Sequence, residues 1–130
     1  MSTPPPSSDF PSDEPVYRGA RNRRCIQDGM VTEEAFYRRV AADPSGLSVG
    51  KTPEIAAEGI TAKGMIRIKA GDIRSVRVKG GDFLDIVPDT TKAGKGNIVD
   101  PPCFDDPITE KAAEGIRIAR ALAGLARPHP

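Results

Sequence analysis

The residues that could do chemistry in this chain are few. The only histidine, His129, sits between Pro128 and Pro130 near the end of the given sequence. An imidazole in that setting is expected to be frayed and solvated. That removes Ser-His-Asp and Cys-His catalysis, histidine general bases and most catalytic zinc sites. Cys25 and Cys103 lie far apart and form no C-x-x-C pair, so too few ligands cluster for zinc, and no metal site is expected. Two reduced, partly buried thiols are the favoured reading, with one long-range disulfide as the alternative. Any mechanism must therefore run on Arg, Ser/Thr, Tyr and carboxylates.

Arginine is the most concentrated of these. Arg18, Arg21, Arg23 and Arg24 fall within seven residues. They are candidate phosphate ligands, because a guanidinium pairs bidentately with phosphate oxygens. Lys63, Arg67, Lys69, Arg74, Arg77 and Lys79 form a second basic region. Against this, 19 Lys and Arg face 18 Asp and Glu, leaving a net charge of +1. A chain that grips nucleic acid or an anionic membrane carries a larger surplus. The aromatic interleaving of a single-strand binder is also missing. Both regions therefore read first as solvated faces paired with aspartates. Nucleic acid is not expected as a partner, and phosphate-backbone binding is the weakest of the alternatives. The run Gly46 to Thr52 ends in Gly-Lys-Thr, but position 45 is Ser45 and Pro53 follows the threonine. It lacks the glycine and the preceding apolar strand of a phosphate-binding loop, and Thr52 reads as a helix cap.

Positioning these groups requires a fold made of short elements. Val16-Tyr17 is a candidate strand. Asp28-Gly29 signals a turn, and Thr32 with Glu33 and Glu34 opens a helix ending by Asp43, before Pro44. Leu47 to Val49 is a strand, and Thr52-Pro53-Glu54 starts a short helix. From Met65 the period becomes two, with Ile66, Ile68 and Ala70 on one face and Arg67 and Lys69 among the alternates. Gly71-Asp72 breaks that strand. Ser75 to Val78 and Phe83 to Val87 pair as a hairpin around Gly80 to Asp82. The matching register sets Val78 opposite Leu84, Arg77 opposite Asp85 and Val76 opposite Ile86. Asn97 to Val99 is the last strand expected. A final helix runs from Asp106-Pro107 to about Arg127, with Ile118, Ala119, Leu122 and Ala126 in its apolar stripe, and Pro128 ends it. The expected class is α+β: a small, mainly antiparallel sheet with two short helices and a longer C-terminal helix.

Tyr17-Arg18-Gly19, then Leu47-Ser48-Val49 with Thr52 and a short helix, then Met65 to Lys69, follow one another in an order that resembles the small ADP-ribosyltransferase-like core. The resemblance implies that Arg18 and Ser48, with Thr52 as a second hydroxyl, hold NAD. It also implies a late-strand glutamate that activates the acceptor. After Glu58 the only glutamates are Glu110 and Glu114, both in the final helix. Asp85 and Asp89 are the substitutes, each one methylene shorter. The layout is similar as well to short bacterial proteins of unassigned function.

Two functions follow. The first is a small intracellular, non-catalytic accessory module that binds a protein partner and needs no cofactor. The second is a minimal or degenerate ADP-ribosyltransferase-like enzyme using NAD. Residues 1–15, with five prolines and four serines, read as a disordered, polyproline-leaning tail, residues 16–127 as one domain and residues 128–130 as a frayed end. No apolar run approaches the roughly 18 residues that cross a bilayer. Met1 to Pro15 has no basic or apolar region of a signal peptide, so a cytoplasmic setting without membrane contact is expected.

Overall fold

A computed structural model of the chain describes residues 10–37, 46–58, 62–78, 83–99 and 110–130. The class is α+β. Strands β1 (Pro15–Gly19), β4 (Leu47–Gly50), β5 (Met65–Lys69), β6 (Asp85–Pro88), β7 (Lys95–Val99) and β8 (Arg127–His129) form one sheet in the order β6-β7-β4-β1-β5-β8. All of its pairings are antiparallel. A separate ribbon joins β2 (Ile26–Gln27) to β3 (Met30–Val31) around the expected Asp28-Gly29 turn. Helices α1 (Pro53–Ala57), α2 (Ala70–Ile73) and α3 (Glu110–Leu125) complete the fold.

The inner sheet face follows from alternation. Val16, Leu47, Val49, Ile66, Ile68, Ile86 and Ile98 are buried, and they share one core with Ile73 of α2, with Ile118, Ala119 and Leu122 of α3 and with Ala126 just after it. In β5 the polar alternates Arg67 and Lys69 are exposed, as the period of two requires. Helix α1 starts as its sequence dictates: Pro53 is its first residue, and the Thr52 hydroxyl accepts the Ile55 N–H at 3.2 Å.

Several expectations need correction. The helix expected from Thr32 is a single 3-10 turn, Glu33–Phe36, with no side-chain cap from Thr32. Its continuation falls on residues 38–45, outside the described residues, as do the expected start of α3 at Asp106 and the hairpin loop Gly80 to Asp82. The hairpin register is two residues away from the expected one. Arg77 bridges Phe83, and the Leu84 N–H donates to the Val76 carbonyl at 2.9 Å. A shift of two preserves the faces, so Val76 and Leu84 stay buried together. The polar pairing does change: Arg77 stacks 5.0 Å from the Phe83 ring centre, while Asp85 accepts from Arg74 at 2.9 Å. Past Leu84 the chain leaves this partner and pairs with β7 as β6.

Both ends of the expected domain also move. Phe10 is 2% exposed and belongs to the core. The residues after it are tied down, with Gly71 N–H donating to Ser12 and Ala70 N–H to Glu14, at 2.8 and 2.9 Å. Residues 10–15 are therefore part of the fold, not of a tail. At the other end, Arg127–His129 is the edge strand β8, paired with β5, rather than a frayed terminus.

The 3-10 turn is tied to α3 by charge. The Glu33 carboxylate accepts the Tyr37 hydroxyl at 2.7 Å and Arg120 Nε at 3.1 Å. The Tyr37 hydrogen bond, more than Arg120, holds Glu33 below its ordinary carboxylate pKa. Burial first, and Glu33 second, push Tyr37 up to about 12. The Glu33 contribution to stability is present above its unfolded pKa and is lost as pH falls through the depressed folded value. The Tyr37 contribution is present below its ordinary value and is lost as pH rises through about 12. Thermal unfolding of Glu33→Gln against the parent between about pH 5 and pH 3 should show a shallower acid decline in the variant. Parallel declines would mean that the Glu33 pairing does not contribute.

Candidate functional site

The residues singled out by sequence fall in different places. Arg18 and Ser48 do meet, but not as two side chains lining one cleft. Arg18 lies on the inner face of β1 between buried Val16 and Ala20, and it is 4% exposed. Its Nε donates to the Ala35 carbonyl at 2.6 Å and its Nη1 to the Ser48 carbonyl at 2.9 Å. β1 and β4 pair in register at one position, Tyr17 with Gly50. Beyond it the strands part, and the guanidinium reaches a β4 carbonyl in place of a β1 backbone N–H. The arginine thus joins β1, β4 and the 3-10 turn. The Ser48 side chain lies between buried Leu47 and Val49 and so belongs to the opposite face of β4.

The other candidates stay apart from this pair. Thr52 caps α1. The Asp85 carboxylate is held by Arg74, which also donates to the Ser12 hydroxyl at 2.8 Å. Asp89 closes the turn after β6, accepting the Thr91 hydroxyl at 2.6 Å and the Thr91 N–H at 2.8 Å. These bonds, the hydroxyl foremost, lower its pKa. Arg21, Arg23 and Arg24 are exposed around the 3-10 turn Arg23–Cys25, where Asn22 caps the Arg24 N–H. Arg18 points into the core instead, so the four arginines do not form one phosphate cradle. Cys25 is a buried free thiol. Among the described residues no group of His, Cys, Asp and Glu could hold a metal ion, and no helix is long and apolar enough to cross a membrane.

A different cluster lies at the other edge of the sheet. Arg67 of β5 stands directly opposite Arg127 of β8 and, on its other side, opposite Tyr17 of β1. Lys69 lies two residues along the same face of β5. His129, opposite Met65, meets the Tyr17 ring edge-on with centres 5.1 Å apart. Arg67, Lys69, Arg127 and His129, with Asp72 and Leu125, line a groove of about 310 Å³. One N–H of Arg127 goes to the Ala126 carbonyl. Among the described residues, no carboxylate forms an ion pair with Arg67, Lys69 or Arg127. Like charges directly opposite on a sheet destabilise it.

Sequence reasoning found half of this cluster. Arg67 and Lys69 were visible as the polar alternates of a strand. Arg127 and His129 were missed because Pro128 reads as a helix terminator. The same proline fits an edge strand, where its missing N–H can face solvent. No protein-family model, curated protein or solved structure matches this chain.

Proposed function

We propose that the protein is a non-catalytic binding module for an acidic protein partner, with the β5–β8 face as its working surface. The observation that carries this reading is Arg67 directly opposite Arg127, beside Lys69, with no carboxylate paired to any of the three among the described residues. A face that costs stability in the free protein gains it when an anionic partner neutralises the charge. Arg18, on which an NAD-using mechanism would turn, is spent on the Ala35 and Ser48 carbonyls. The proposed setting is the cytoplasm, where a buried thiol such as Cys25 stays reduced.

A glutamate-rich peptide titrated into labelled protein should move the amide resonances of Arg67, Lys69, Arg127 and His129. The shifts should fade as salt is raised, because exposed charge pairs are screened. Arg67→Glu combined with Arg127→Glu should abolish them. Shifts confined to other surfaces would refute the reading, and so would turnover of NAD by the purified protein.

A further inference from the structure

We propose that the groove between β5, β8 and α2 is a phosphomonoester site, so that the partner's anchoring group is a phosphorylated side chain. This rests on the reading of the β5–β8 face as a binding surface. Charge balance is the first ground. Arg67, Lys69 and Arg127 bring three positive charges to the groove, which Asp72 with one negative charge and Pro130 with its carboxylate also line. Three cationic side chains in one groove match the roughly −1.5 to −2 that a phosphomonoester carries at neutral pH better than the single charge of a carboxylate.

Donor geometry is the second ground. Directly opposed residues of an antiparallel pair have side chains that start roughly 4.5–5.5 Å apart. Two guanidinium forks that close together can address different oxygens of one tetrahedral group. A carboxylate has two oxygens and is saturated by one fork, whereas a phosphomonoester offers three. The third ground is size and shape. At about 310 Å³ the groove matches the small end of ligand sites, enough for one phosphoryl head and its ester carbon. His129 lines the groove, and its ring is held edge-on against Tyr17 of β1.

The test compares two peptides of one sequence, one bearing phosphoserine and the other glutamate at the same position, by calorimetric titration against the full chain. The phosphopeptide should bind at least about tenfold tighter, and inorganic phosphate should compete with it. Arg67→Gln and Arg127→Gln should each weaken the phosphopeptide about tenfold. Their thermal midpoints should equal or exceed the parent's, since each relieves a like-charge pair. Lys69→Gln, opposite Pro15 rather than an arginine, should give a similar loss of binding and covers the case of an arginine variant that folds poorly. Equal binding of both peptides, lost together in these variants, would overturn the phosphomonoester assignment and leave the acidic-partner reading standing. Failure of both peptides to bind would overturn both.

Discussion

Replacing Arg18 by alanine is expected to cost the fold about 3–5 kcal/mol, because a hydrogen bond made by a charged group is worth about 1.5–3 kcal/mol and two are lost. For a chain of this size the thermal midpoint should fall by on the order of 15 °C. The reason lies in where the side chain is. At 4% exposure the guanidinium has lost its water, and it is stabilised by carbonyls from two separate segments, Ala35 and Ser48. Truncation leaves those carbonyls without these donors and opens a cavity beneath β1. The two bonds from Nε and Nη1 account for most of the effect.

Conservative variants sharpen the prediction. Arg18→Lys keeps the charge but replaces a planar fork by a point donor. A fork can serve the Ala35 and Ser48 carbonyls at once, in different directions, and an ammonium on a shorter reach cannot. Arg18→Lys should therefore recover only part of the loss, read as an intermediate denaturant midpoint. The result also separates the two functional readings. An arginine kept for NAD would lose ligand affinity on mutation and leave the fold intact. An Arg18→Ala protein that melts with the parent would sink the structural role and return Arg18 to the list of ligand-binding groups.

The elements that sequence made legible are those whose signals are local. Thr52-Pro53 capped a helix where it should, because a hydroxyl acceptor and a fixed φ act within one turn. Met65 to Lys69 alternated as a half-buried strand because its face is set by the core beside it. The hairpin at Val76 and Leu84 was legible in its faces and not in its register. Apolar matching is satisfied equally by registers that differ by two, and the Arg74–Asp85 bond lies outside the pairing from which register was inferred. The β5–β8 cluster depends on residues 60 or more positions apart meeting at Met65↔His129, Ile66↔Pro128 and Arg67↔Arg127. Such a meeting leaves no local pattern. Arg18 carried its chemical signal in the sequence, but the signal was ambiguous. A lone arginine in a strand of apolar alternates reads as a ligand group or as a buried brace, and burial decides between them.

Phe10→Ala is expected to cost about 3–5 kcal/mol, as for a fully buried phenyl ring. This is a large effect for a residue inside a proline- and serine-rich stretch, and it follows from a contact that composition cannot show. The ring lies against Gly96 of β7, so close that a Cβ at Gly96 would stand 2.6 and 2.7 Å from two of its carbons. The chain behind it is fixed by Ser12 and Glu14 carbonyls, which accept from Gly71 and Ala70, and by the Arg74 bond to the Ser12 hydroxyl. Gly96→Ala should then cost about 1–3 kcal/mol by forcing the ring out of its seat. The two substitutions must couple. Once Phe10 is alanine, the new methyl at position 96 meets chiefly the Val87 carbonyl at 3.1 Å, a tight but tolerable approach. The double variant should therefore be more stable than the sum of the single losses predicts, by on the order of 1–2 kcal/mol. Denaturant titration of the four proteins measures this directly. Strict additivity, or a Phe10→Ala protein as stable as the parent, would mean that residues 10–15 do not dock on the sheet in solution.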